Sequence, residues 1–253
     1  MMKIQGAFLI ICFLTFGGCK EKAKMDEQST IKNMELADNE ISGEGEWEIL
    51  FDGTSFDNWK AYLDDEMAAN WEIEEGAMVF YPPSDRPKGE SYNIVTREAY
   101  NSFVLSLEWR VAEGANSGIF WGIKEDSVYR QPYETGPEIQ VLDNQRHPDA
   151  KNGNTHQAGA LYDMVAPAED VTKPAGEWNS CEITVNYKEQ KGKVILNGVE
   201  IVAFPLDNSQ WEALVSDSKF ADWSGFGKYA TGKIGLQDHG DVVAFKNIKI
   251  KRL

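Results

Sequence analysis

The stretch Thr135–Asn144, TGPEIQVLDN, carries a carboxylate and an amide two residues apart, Glu138 and Gln140. As a β-strand it puts those two on one face and Ile139 and Val141 on the other. Two more stretches repeat the arrangement, with Glu108 and Arg110 in one and Gln237 and His239 in the other. A carboxylate, a guanidinium and an imidazole together can move protons near neutral pH and stabilise a developing negative charge. Asn116, Trp121, Tyr162 and Asp163 add groups that hydrogen-bond to and stack on sugar rings. If the strands lie in one curved sheet, these residues line a shallow groove. If they do not, they are an ordinary solvated face.

Other chemistries find little support. No glycine-rich loop precedes a helix to cradle phosphate, and no Gly-x-Ser-x-Gly elbow presents a nucleophile. The three histidines lack the spacing of a helical zinc site. No cofactor is required, although a calcium ion held by loop carboxylates stays open. A formal net charge of -16 repels nucleic acid and anionic membrane surfaces, so neutral or weakly polar ligands fit better.

The elements that must hold these residues are short strands. In 101–111, Phe103, Leu105, Leu107, Trp109 and Val111 alternate against Val104, Ser106, Glu108 and Arg110. Gly114–Gly118 reads as a turn after which Ile119–Ile123 pairs back. Glu75-Gly76 and Asn197-Gly198 are hairpin turns. Short strands are expected at 92–96 and 159–162. The strand with Cys181, Ile183, Val185 and Tyr187 inward makes Cys181 a core residue. Phe245 and Ile248 share a face only if Lys246-Asn247 forms a bulge. Trp211–Phe220 is the one helix of any length. With no βαβ rhythm and no fixed repeat, the pattern is an all-β sandwich of antiparallel sheets with one short helix.

The beginning of the chain reads as a processing signal. Met1-Met2-Lys3 is followed by an apolar run, Ala7–Phe16, too short to span a bilayer comfortably. Gly17-Gly18-Cys19 then resembles a bacterial lipoprotein cleavage site. The expected organisation is a signal peptide at 1–18, lipidation at Cys19, a polar tether at 19–45 and a folded domain at 46–253. That predicts an exported protein that meets the membrane only through its lipid, in the periplasm or at the outer membrane of a Gram-negative cell.

GANSGIFWGI (114–123), TGPEIQVLDN (135–144), GALYDM (159–164), GEWNS (176–180) and GKIGLQDHGDVVAFKNIKIK (232–251) resemble the 3-keto-disaccharide hydrolase domain family, in order from Trp47 to the end of the chain. The resemblance implies a concanavalin A-like jelly roll. It also implies action on glycosides whose C3 hydroxyl has been oxidised to a ketone by a separate NAD-dependent oxidoreductase.

A C3 ketone acidifies the hydrogen on C2, so base removal, expulsion of the C1 substituent and addition of water give net hydrolysis. In that scheme His239 is the base, Arg110 holds the enolate, and Glu138 is the acid, or the base with the two roles exchanged. Gln140, Gln237, Asn116, Trp121, Tyr162 and Glu108 bind the sugar. Two alternatives use the same sandwich. A lectin would bind without turnover, and a conventional glucanase would need a second carboxylate near Glu138. Glu108 suits that role better than Asp143, whose spacing sends it to the other face.

Overall fold

The computed structural model describes residues 45–253; the expected signal peptide, the lipidation site expected at Cys19 and the expected tether as far as residue 44 lie outside the described residues. Among the described residues, thirteen strands form two antiparallel sheets. The larger contains β1 (Trp47–Phe51), β3 (Trp71–Glu74), β4 (Ala77–Phe80), β6 (Phe103–Val111), β9 (Asn179–Asn186), β10 (Lys191–Leu196), β11 (Val199–Pro205) and β13 (Val243–Arg252). Its order is β11-β10-β9-β6-β13-β4-β3, and β1 also pairs with β13. The smaller sheet runs β2 (Trp59–Ala61), β5 (Ile94–Thr96), β12 (Lys233–Leu236), β7 (Asn116–Ile123), β8 (Glu138–Leu142). Among the described residues one α-helix, α1 (Ser209–Ser216), packs at the edge, and none is long and apolar enough to cross a membrane.

The alternation in β6 is borne out residue by residue, with all five odd-numbered apolar side chains buried. The bulge expected in β13 is present. Its register against β6 shifts between Lys246 and Lys249, Asn247 takes a φ of 53°, and Phe245 and Ile248 are both fully buried. The Glu75-Gly76 and Asn197-Gly198 turns have positive φ at both positions, as a tight hairpin requires. Cys181 is a buried free thiol.

Three elements differ from expectation. The helix starts at Ser209, because the Asn208 side chain accepts from the Gln210 and Trp211 amides, and it ends at Ser216. Residues 159–162 form no strand; Leu161 makes only isolated bridges to Ile139 and Val165. Most consequential, β7 does not pair back on β6. It hydrogen-bonds to β8 and β12, so the chain crosses from one sheet to the other at 112–115. In a sandwich the outward faces of the two sheets point in opposite directions.

Candidate active site

The outward face of the smaller sheet forms the floor of a hollow of about 370 Å³. Gln140 of β8 lies opposite Gly118 of β7, and Glu138 opposite Phe120. Glu138 leans over Gly118: a Cβ there would sit 2.0 Å from Glu138 Oε1. The glycine is what lets the carboxyl lie flat in the floor. Only 8% exposed, that carboxyl has no hydrogen-bond or ion-pair partner among the described residues. Burial raises its pKa to about 8, with Lys219 the opposing charge and Asp149 a reinforcing one. At neutral pH Glu138 is therefore a carboxylic acid with a proton to give.

The amides beside it have capacity to spare. Asn116 Oδ1 and Gln237 Oε1 are buried without a partner, and both residues line the hollow. Buried acceptors of this kind await donors, and sugar hydroxyls supply them. Gln140, which also lines the hollow, reaches the His156 carbonyl at 3.5 Å.

His239 stands at the Asn116 end in a tight turn, with a φ of 39°. Its Nε2 is 3.3 Å from Asn116 Nδ2, and its Nδ1 is 3.9 Å from Asp241. Burial lowers its pKa, and neighbouring His147 adds to the effect against the pull of Asp241. The ring is thus neutral near pH 7 and able to accept a proton.

His147, His239 and Asp241 bring one ligand atom each to within 4.8 Å of one another. Two imidazoles and a carboxylate suit a first-row transition ion better than calcium, which takes oxygen ligands. His147 Nδ1 accepts from the Asp149 amide, which leaves the neutral ring's proton on Nε2 and works against ligation through that atom.

The opposite wall comes from loops. Tyr162 donates to Asp149 Oδ2 at 2.9 Å, and the His156 ring bridges Asp149 at 2.9 Å and Asp163 at 3.1 Å. Asp163 in turn accepts the Lys219 amide at 2.7 Å. This chain of contacts sets Lys219 Nζ 4.0 Å over the Tyr162 ring, facing the floor. Lys219 makes no ion pair among the described residues, so its charge is available to the hollow.

Of the residues singled out in the sequence, the structure gathers Glu138, Gln140, Asn116, Gln237, Tyr162 and His239 around this space. It removes three. Arg110 lies on the outward face of the larger sheet, its guanidinium 4.7 Å over Trp178. Glu108, on the same far face, is bound by Asn247 at 2.6 Å and Lys246 at 3.5 Å. Trp121 is buried in the core, 5.6 Å from the Phe204 ring. The first two follow from the crossing at 112–115. The third follows from β7's alternation, which turns Gly118 to the site and Trp121 inward.

Residues 46–251 match the 3-keto-alpha-glucoside-1,2-lyase-like domain. The chain belongs to that family. It is 36% identical over 228 residues to a 3-keto-disaccharide hydrolase of Bacteroides thetaiotaomicron, covering 81% of this chain and 77% of that one. A solved structure of a candidate glycosyl hydrolase from Parabacteroides distasonis superposes with a TM-score of 0.74 at 31% identity, over 83% of this chain and 94% of that one. A second from the same organism gives 0.60 at 26% identity, over 82% and 100%.

In this 3-keto-glucoside lyase-like domain the side chains that sequence reasoning missed include Lys219, Arg86, Asn93, Tyr133, Phe220 and Trp223, all lining the hollow. Arg86 pairs with buried Asp238 at 2.7 Å, and Asn93 accepts the Asp238 amide at 3.0 Å. These residues sit in irregular segments, where no periodicity marks a face. The aromatic density of KFADWSGF (219–226) is the one signal that could have drawn attention to Lys219.

Proposed function

We propose that this chain cleaves the glycosidic bond of 3-keto-disaccharides and related 3-keto-glycosides. The observation that carries the reading is one hollow holding the buried, partnerless Glu138 carboxyl, the His239 ring and the Lys219 ammonium, in which burial favours the protonated acid and the neutral imidazole. Titratable groups pushed apart in this way mark an acid and a base. His239 takes the C2 proton, and the electrons move onto the C3 oxygen, where the Lys219 ammonium holds the enolate. The enolate reforms the ketone as it expels the C1 oxygen, which takes its proton from Glu138. Water then adds to C1 of the enone. Its proton goes to the Glu138 carboxylate, while His239 returns a proton to C2, so both residues finish as they began. Lys219 thus takes the part expected of Arg110. Glu108, the second carboxylate of the two-carboxylate alternative, is across the sandwich.

The ketone must be made elsewhere, by a separate NAD-dependent sugar oxidoreductase. Gly17-Gly18-Cys19 supports an exported domain tethered by lipid at Cys19. The test is to incubate the purified domain with a 3-keto-disaccharide and with its unoxidised parent. Monosaccharides from the first alone support the reading. Binding without cleavage favours a lectin, cleavage of the parent a conventional glycosidase, and accumulation of an enone a lyase that stops before hydration.

A further inference from the structure

Beyond the catalytic hollow lies a second one of about 380 Å³, and the two share Tyr133 and Trp223 as a common wall. Their order along the sheet can be read from register. Asn116, beside His239, lies opposite Leu142, and Phe120 lies opposite Glu138. The Glu138 carboxyl leans back over Gly118, two residues of strand or about 7 Å from the Asn116 level. Past Glu138 the chain leads back through Pro137 and Gly136 to a 3₁₀ turn, Pro132–Glu134, that carries Tyr133. The base therefore stands at one end, the acid further along, and the second hollow beyond the acid.

A sugar whose C2 hydrogen faces His239 and whose glycosidic oxygen meets Glu138 must project its leaving group past Glu138. We propose that the hollow bounded by Tyr129, Tyr133, Glu134, Trp223, Ser224 and Gly225 is the leaving-group subsite, and that it takes a second sugar ring. This rests on the function proposed above and names the substrate's other half. The walls suit a ring. Tyr133 and Trp223 stand with centroids 6.0 Å apart, offering flat surfaces to the C–H face of a pyranose, and the Glu134 carboxylate can accept from its hydroxyls.

These walls are also held in place. Trp223 packs edge-on against Phe220 at 5.1 Å, and Phe220 stacks on Phe226 at 3.9 Å. The Gly227 amide ties the segment to the Thr135 carbonyl at 2.9 Å. A Cβ at Gly225 would come within 2.6 Å of the Tyr129 ring, so glycine is what lets that wall close. A rigid aromatic platform costs little ordering when a ring lands on it.

The experiment compares kcat/KM for a 3-keto-disaccharide and for methyl 3-keto-glucoside, whose leaving group is too small to reach the subsite. Wild-type protein should favour the disaccharide by at least about tenfold. That ratio should fall about tenfold in Trp223→Leu and in Tyr133→Leu, each checked for folding by circular dichroism. A wild-type ratio near one overturns the subsite without any variant, and so does a ratio unchanged in both variants. If wild-type protein leaves both substrates intact, the proposed function fails and the subsite with it.

Discussion

Replacing Glu138 with glutamine should harm catalysis and help the fold, and the two effects should separate by pH. Burial moves this carboxyl from its ordinary 4.5 to about 8. Because its folded pKa is the higher one, the group costs nothing below 4.5, where folded and unfolded states both hold the proton. Stability is lost as pH rises from 4.5 toward about 8, since only the unfolded state ionises freely. The loss is on the order of 3 kcal/mol at pH 7. Glutamine has the same shape and no proton to lose, so it escapes this cost. Thermal melts of both proteins should nearly coincide at pH 4.5 and diverge by roughly 5–10 °C at pH 7, the variant being the more stable. Its turnover of a 3-keto-disaccharide should meanwhile drop about 100-fold or more. A melting difference that does not change with pH would refute the assignment of a buried, neutral carboxyl.

The other expectations concern its neighbours. Gly118→Ala must displace the carboxyl it lies under, and kcat should fall about 10–100-fold with an unchanged circular dichroism spectrum. Lys219→Met removes the enolate's cation and should cost about 100-fold or more in kcat. The alkaline limb of its residual pH profile should move upward, because Lys219 is the charge holding the Glu138 pKa down. His239→Ala should cut turnover about 100-fold, and wild-type activity should fall on acidification only below the ordinary imidazole range, the sign that a depressed base requires. Arg110→Ala, by contrast, should leave kcat/KM within about twofold and cost only the ~0.5–1 kcal/mol of its contact with Trp178, seen as a small drop in melting temperature.

The sandwich was legible because β6 and β9 alternate strictly, and because Glu75-Gly76 and Asn197-Gly198 are unambiguous turns. Even the bulge at Asn247 could be inferred, since Phe245 and Ile248 cannot otherwise both be buried. Glu138 and Gln140 were found by the same logic, polar residues opposite apolar ones on a strand, and Gln237 and His239 by carrying the alternation of β12 past its end at Leu236. What alternation cannot reveal is which sheet a strand joins. Gly114–Gly118 has the composition of a hairpin turn, yet the segment around it carries the chain across the sandwich. Arg110 and Glu108 were therefore placed on the wrong outer face by a step that no local pattern encodes. Lys219 and Trp223 escaped for the opposite reason. They lie where the backbone has no period, held by His156, Asp163 and the Phe220–Phe226 stack rather than by a ladder.

The pairing of β12 with β5 and β7, and of β13 with β4, β6 and β1, gives the last two strands of the described sheets an unusual duty. They follow every other strand of the two sheets, yet they supply an inner ribbon to each, and the turn between them supplies His239. A nascent chain still missing that stretch has neither layer complete and no base for the reaction. Sites assembled from such distant partners form slowly. The sandwich cannot close until β12 and β13 have been made, and a stop just before Lys233 should be as damaging as one near β6.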